Sequence, residues 1–102
     1  MHEMSPTPKQ PKINTIQPRL GLIQARIKFT ITGENLCKET RFIFELGDIK
    51  VDGTVVGEIE DGVFVEATFQ EVGNYALIAK NSACKRSLTD VVPDAFLAEA
   101  AT

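Results

Sequence analysis

Ile49-Lys50-Val51-Asp52-Gly53-Thr54-Val55-Val56 and, just past Gly57, Glu58-Ile59-Glu60-Asp61-Gly62-Val63-Phe64-Val65 decide how the rest of the chain is read. Each places an Asp-Gly pair between short runs rich in β-branched residues. Asp-Gly supplies the positive φ angles of a tight hairpin turn, so the spacing predicts two successive hairpins. The period of two continues on both sides. Phe42, Phe44 and Leu46 share one face of a strand, and Arg41, Ile43 and Glu45 share the other. Further upstream, Ile27, Phe29 and Ile31 alternate with Lys28, Thr30 and Thr32, and Gly33-Glu34-Asn35 closes that strand. Downstream, Val63, Val65, Ala67 and Phe69 face inward. Gly73 opens another strand with Tyr75, Leu77 and Ala79 inward, and 81–83 turns the chain into a last extended piece over 85–92.

Two ends flank this pattern. Residues 1–12 carry Pro6, Pro8 and Pro11 among polar side chains, which predicts a flexible, extended arm. Pro18-Arg19-Leu20-Gly21 reads as a turn. Residues 93–102 have helical composition, with Asp94 placed to cap about two turns; this short tail must dock on the domain or fray. Seven or eight short strands with close turn signals over 13–92 predict one antiparallel β-sandwich.

Composition narrows function more than it names it. A chain of 102 residues with 43% hydrophobic side chains fits one ordinary globular domain. Eleven basic against fourteen acidic residues, net −3, argue against a nucleic-acid binder, which needs a basic face. No run approaches a membrane span, and no secretory signal is visible. One histidine, two cysteines and no tryptophan leave no nucleophile–base pair, phosphate loop or zinc shell in view. The expectation is a non-enzyme with no metal and no cofactor. Asp48, Asp52, Glu58, Glu60 and Asp61 gather near hairpin tips, where turn chemistry accounts for Asp52 and Asp61.

Ile13-x-x-Ile16-x-Pro18-x-x-Gly21, followed by Phe29-Thr30-Ile31-Thr32-Gly33-Glu34-Asn35-Leu36, resembles the opening of an immunoglobulin-like domain of the IPT/TIG kind. Gly73-x-Tyr75-x-Leu77-x-Ala79-x-Asn81-Ser82-Ala83, followed by Ser87, is similar to that family's closing strands. Two positions depart from the pattern. Cys84 stands at the glycine of the last hairpin, and Leu77 stands where an antibody-type domain carries its second core cysteine. The resemblance implies an immunoglobulin-like sandwich in which Tyr75 is either a tyrosine corner, with its hydroxyl bonded back to the chain, or a plain core tyrosine. It also implies that such domains hold, space or bind in cell-surface receptors, transcription factors, starch-acting enzymes and phage virions.

Within that topology several features become candidates. Cys37 and Cys84 fall in connections at the same end, so they are either a disulfide worth about 4 kcal/mol or two independent thiols. Asn35, Lys38, Asn81 and Lys85 lie near that end and are either protein-contact residues or a solvated rim. Ile43, Ile78 and Ala76 should meet on one outer sheet surface, which either contacts a partner or is covered by the C-terminal segment with Phe96 and Leu97 or by an extra strand. Phe64, out of step with Val63 and Val65, is a candidate for stacking on a sugar ring. The function expected is non-catalytic attachment to a larger assembly, a virion or a cell surface. A carbohydrate-binding accessory role is the alternative, and DNA binding and membrane insertion are not expected. The setting would be a virion or the cytoplasm for a complete chain, and extracellular for a piece of a larger protein.

Overall fold

The computed structural model of the chain describes residues 9–83 and 86–100. Among them the alternating runs form eight strands and no helix: β1 (Lys12–Gln17), β2 (Leu20–Leu22), β3 (Arg26–Glu34), β4 (Arg41–Leu46), β5 (Ile49–Ile59), β6 (Gly62–Thr68), β7 (Gly73–Ala83) and β8 (Arg86–Glu99). The all-β class expected from the period of two is observed. Instead of two separate sheets, the strands hydrogen-bond in one continuous order, β1-β3-β6-β5-β4-β7-β8-β2. This sheet curls until its halves face each other: Phe29 of β3 and Phe44 of β4, on strands far apart in that order, have ring centroids 4.9 Å apart.

β5 makes the curl, because it belongs to both halves. Ile49–Gly53 pair with β4, whereas Thr54–Ile59 pair with β6. The first expected hairpin is therefore corrected. Asp52-Gly53 is not a turn but the crossing point inside a long strand. A Cβ on Gly53 would lie 2.5 Å from Val65 Cγ1, so glycine is needed there for close approach rather than for a positive φ. The reversal lies earlier, at Gly47-Asp48, where Gly47 has φ +58° and Leu46 faces Ile49. The second hairpin forms one residue earlier than expected: Glu60-Asp61 is its two-residue loop, neither at positive φ, and Gly62 is already in the β6 ladder, where a Cβ would run into the Ile31 carbonyl oxygen.

Residues 1–8 of the expected arm lie outside the described residues, but the described parts of both expected tails are drawn into the fold. Lys12 starts β1, and Pro11 is fully buried. At the other end, 93–99 is not a helical tail; it prolongs β8. Phe96 and Ala98 are fully buried, facing Tyr75 and Gly73 of β7. The helix-forming composition loses to burial of these side chains, as tertiary packing routinely overrides propensity. A bulge between Tyr75 and Leu77, with Asp94 at φ +54°, brings Phe96 into register. The turn read at 18–21 is likewise mostly strand: Leu20–Leu22 run parallel to Leu97–Glu99. The sheet is thus mixed rather than wholly antiparallel.

Between the two halves lies one aromatic cluster. Phe96 stands 5.0 Å from Phe29 and 4.8 Å from Phe69, and Phe69 stands 5.0 Å from Phe44 and 4.9 Å from Tyr75. Phe42, Ile31, Val63, Val65 and Leu77 close the layer around it. Each large side chain removed from water contributes about 1.5–3 kcal/mol, so this cluster is the main stabilising feature.

Candidate functional site

The strand registers build the expected outer patch directly. Ile43 of β4 lies opposite Ile78 of β7, and Ile78 lies opposite Val91 of β8, giving a row of three β-branched side chains across three strands. Such residues suit adjacent positions on a pleated face. Val91 is 52% exposed, while Ile43, Ala76 and Ile78 are half-buried by their neighbours in the sheet. Ala76 sits one step along β7, opposite Glu45. Phe96 and Leu97 do not cover the row: Phe96 turns into the core, and Leu97 stands beside β2 on the same β8. Sequence reasoning missed Val91, although the alternation of Thr89 and Val91 about Asp90 carried the signal. Beside the row, Arg41 and Asp52 approach to 3.9 Å and Lys50 and Glu45 to 3.8 Å, mostly exposed pairs of small energetic weight.

At the end of the fold near Cys37, the asparagines turn out to be fasteners. Asn81 Nδ2 donates to the carbonyls of Asn35 (2.7 Å) and Lys9 (2.9 Å), and Asn81 Oδ1 accepts from the buried Thr40 hydroxyl at 2.6 Å. Asn35, at φ +60°, donates from Nδ2 to the Gln10 carbonyl. Asp90 Oδ2 accepts from the Ile13 amide, and Gln10 Nε2 donates to the Thr89 carbonyl. These bonds strap residues 9–13 across β7 and β8. Both Asn81 amide protons and its oxygen are occupied within the chain, so its amide is committed to the strap. Lys38 is held through its backbone amide to Glu58 Oε2 at 2.6 Å, leaving its side chain exposed. Lys85 lies outside the described residues.

Cys37 is a free thiol among the described residues and donates to Glu39 Oε1 at 3.3 Å. Cys84 lies outside them, and with it the Cys37–Cys84 pairing. Phe64 sits on the outer face opposite Gly57 and Thr30, with Lys28 Nζ 4.6 Å above its ring centroid. The lysine occupies the face that a sugar would need. Tyr75 forms the tyrosine corner: its hydroxyl donates to the Glu71 carbonyl at 2.7 Å. Burial raises its phenol above the ordinary value of 10.0, and the Glu71 carboxylate pushes the same way against the pull of that hydrogen bond.

Two shallow clefts open where β5 crosses between the halves. One, of about 410 Å³, is lined by Lys38, Thr40, Arg41, Asp52 and Thr54; the other, of about 380 Å³, by Arg26, Asp52, Thr54 and Glu66. Arg26 and Glu66 pair at 3.9 Å in the second. Among the described residues no three His, Cys, Asp or Glu side chains are grouped to hold a metal ion, and no helix is long and apolar enough to cross a membrane.

No protein-family model, curated protein or solved structure matches the chain.

Proposed function

We propose that the chain is a non-catalytic immunoglobulin-like attachment module that binds or decorates a larger protein assembly or surface. The observation that carries this reading is the partly exposed row Ile43–Ile78–Val91, set in register on the outer face of β4, β7 and β8. An in-register apolar row offers a partner flat, rigid contact area that loses little side-chain entropy on binding. The immunoglobulin-like part is supported by the Tyr75 corner and by a leading segment that passes from one half of the sheet, in β1, to the other, in β2. The lysine over Phe64 weighs against the carbohydrate alternative.

The test uses a photo-crosslinking residue at position 91 to capture a protein partner, which is then purified and titrated against the wild type and the variants Ile43→Lys and Ile78→Lys. Each variant is expected to weaken binding at least tenfold and to lower the melting temperature by only a few degrees, as lysine on a half-exposed strand face costs about 1 kcal/mol. Equal affinity for wild type and both variants would remove the row as the contact surface.

A further inference from the structure

We propose that the chain pairs with a second copy of itself through the open edge of β2, antiparallel and centred on Gly21. This inference is independent of the attachment face, because it uses a different margin of the sheet. The hydrogen bonds that bracket the β2–β8 pairing run from Leu97 N–H to the Arg19 carbonyl and from Ile23 N–H to the Glu99 carbonyl, both at 2.9 Å. Backbone groups alternate in direction along a strand, so residues 19, 21 and 23 address β8. The N–H and C=O groups of Leu20 and Leu22 therefore point away from it, along the free edge that ends the strand order. The side chains follow the opposite logic. Gly21 lies against Ile27 and Phe96, while Leu20 and Leu22 stand on the outer face, 55% and 48% exposed, beside Leu97 at 37%.

That edge is complementary to itself. An antiparallel copy sets Leu20 opposite Leu22 of the second chain, with the reciprocal pair across the axis, so four backbone hydrogen bonds form between groups that have no partner in the described chain. Gly21 then faces its own copy at the close, non-hydrogen-bonded position, where it places no side chain in the way. The three exposed leucines of each chain merge into one six-leucine cluster across two neighbouring rows. The pairing is isologous and uses up the edge, so it closes at a dimer. The sheet's other margin, β1, meets β8 through the Ile13–Asp90 bond near its start. A strand of three residues buries far less than the roughly 1,200 Å² of a stable interface, so the dimer is weak and concentration-dependent.

Sedimentation of the full chain between about 10 µM and about 1 mM tests the proposal in the range expected of a weak complex. The expected result is a weight-average mass that rises from 11.2 kDa toward twice that value and no further. The double variant Leu20→Lys/Leu22→Lys should stay at the monomer mass with an unchanged far-ultraviolet spectrum. Ile78→Lys and Val56→Lys should dimerise like the wild type, which separates this edge from the attachment face. Amide exchange of Leu20 and Leu22 should slow as concentration rises, while Gly21, already bonded to β8, stays constant. A wild type that remains monomeric to about 1 mM, an edge variant that dimerises equally, or a mass that climbs past the dimer would each overturn it.

Discussion

Replacing Phe96 by alanine separates the two accounts of the C-terminal residues most sharply. If 93–102 were a loosely docked tail, truncating one of its side chains would cost little. In the structure Phe96 is 0% exposed and its ring lies 5.0 Å from Phe29, 4.8 Å from Phe69 and 6.4 Å from Phe44. Cutting a phenylalanine to alanine in a closed core removes its transfer free energy and leaves a cavity, together about 3–5 kcal/mol. Each kcal/mol moves the melting temperature of a domain this size by about 4–8 °C, so the loss should reach about 15 °C or more. Leu97→Ala, one residue along and 37% exposed, provides the internal control and should cost about 1 kcal/mol or less. Urea titrations read at two wavelengths give both values, with the slope m reporting whether the two-state fit holds. A Phe96→Ala cost below about 1 kcal/mol, equal to that of Leu97→Ala, would refute the placement of Phe96 in the core.

Three further outcomes follow from local geometry. Gly53→Ala should destabilise by about 1–3 kcal/mol through its clash with Val65, and Gly47→Ala by about 1–2 kcal/mol through left-handed strain in open space; only the first should be relieved by adding Val65→Ala, as urea unfolding of the double variant would show. Asn81→Ala removes the acceptor of the buried Thr40 hydroxyl, which keeps its bond from the Cys37 amide, and frees two carbonyls to solvent; it should cost about 1–2 kcal/mol and speed amide exchange at Ile13 as the strap loosens. Tyr75 has a raised folded pKa, so above pH 10 the unfolded chain holds fewer protons than the folded one. Stability is then full below pH 10 and falls as pH rises through the folded value; Tyr75→Phe should flatten that alkaline loss in denaturant midpoints measured from pH 8 to 12.

Where side chains alternate strictly, the strands were legible in the sequence. Phe29 and Ile31, Phe42 and Phe44, Val63 to Phe69, and Tyr75 to Ala79 all point where the period of two puts them. Glycine was the ambiguous letter. Asp52-Gly53 and Gly47-Asp48 offer the same turn chemistry, and the choice is settled only by β5 crossing under Val65, a contact made by residues distant in the sequence. The same holds for Pro93–Glu99, whose composition favours a helix until the cavity between Phe29, Phe69 and Tyr75 is known to need Phe96. Of the candidate site, the Ile43–Ile78 pairing was readable from strand order; Val91 was missed, because its place beside Ile78 depends on the β7–β8 register. The role of Asn35 and Asn81 was not readable, because their partners are backbone carbonyls of residues 9, 10 and 35, which only the folded chain brings together.

The claim on which the account turns is that the outer row of β4, β7 and β8 is where a partner sits. Methyl-resolved NMR of the isoleucine and valine side chains, recorded while a captured and purified partner is added, tests it most directly. The account predicts that the Ile43, Ile78 and Val91 methyl signals shift or broaden together, with Val56 and Val72 unmoved at saturation. Perturbation confined to Val56, Val72 or residues around Phe64, with Ile43, Ile78 and Val91 unchanged, would contradict it.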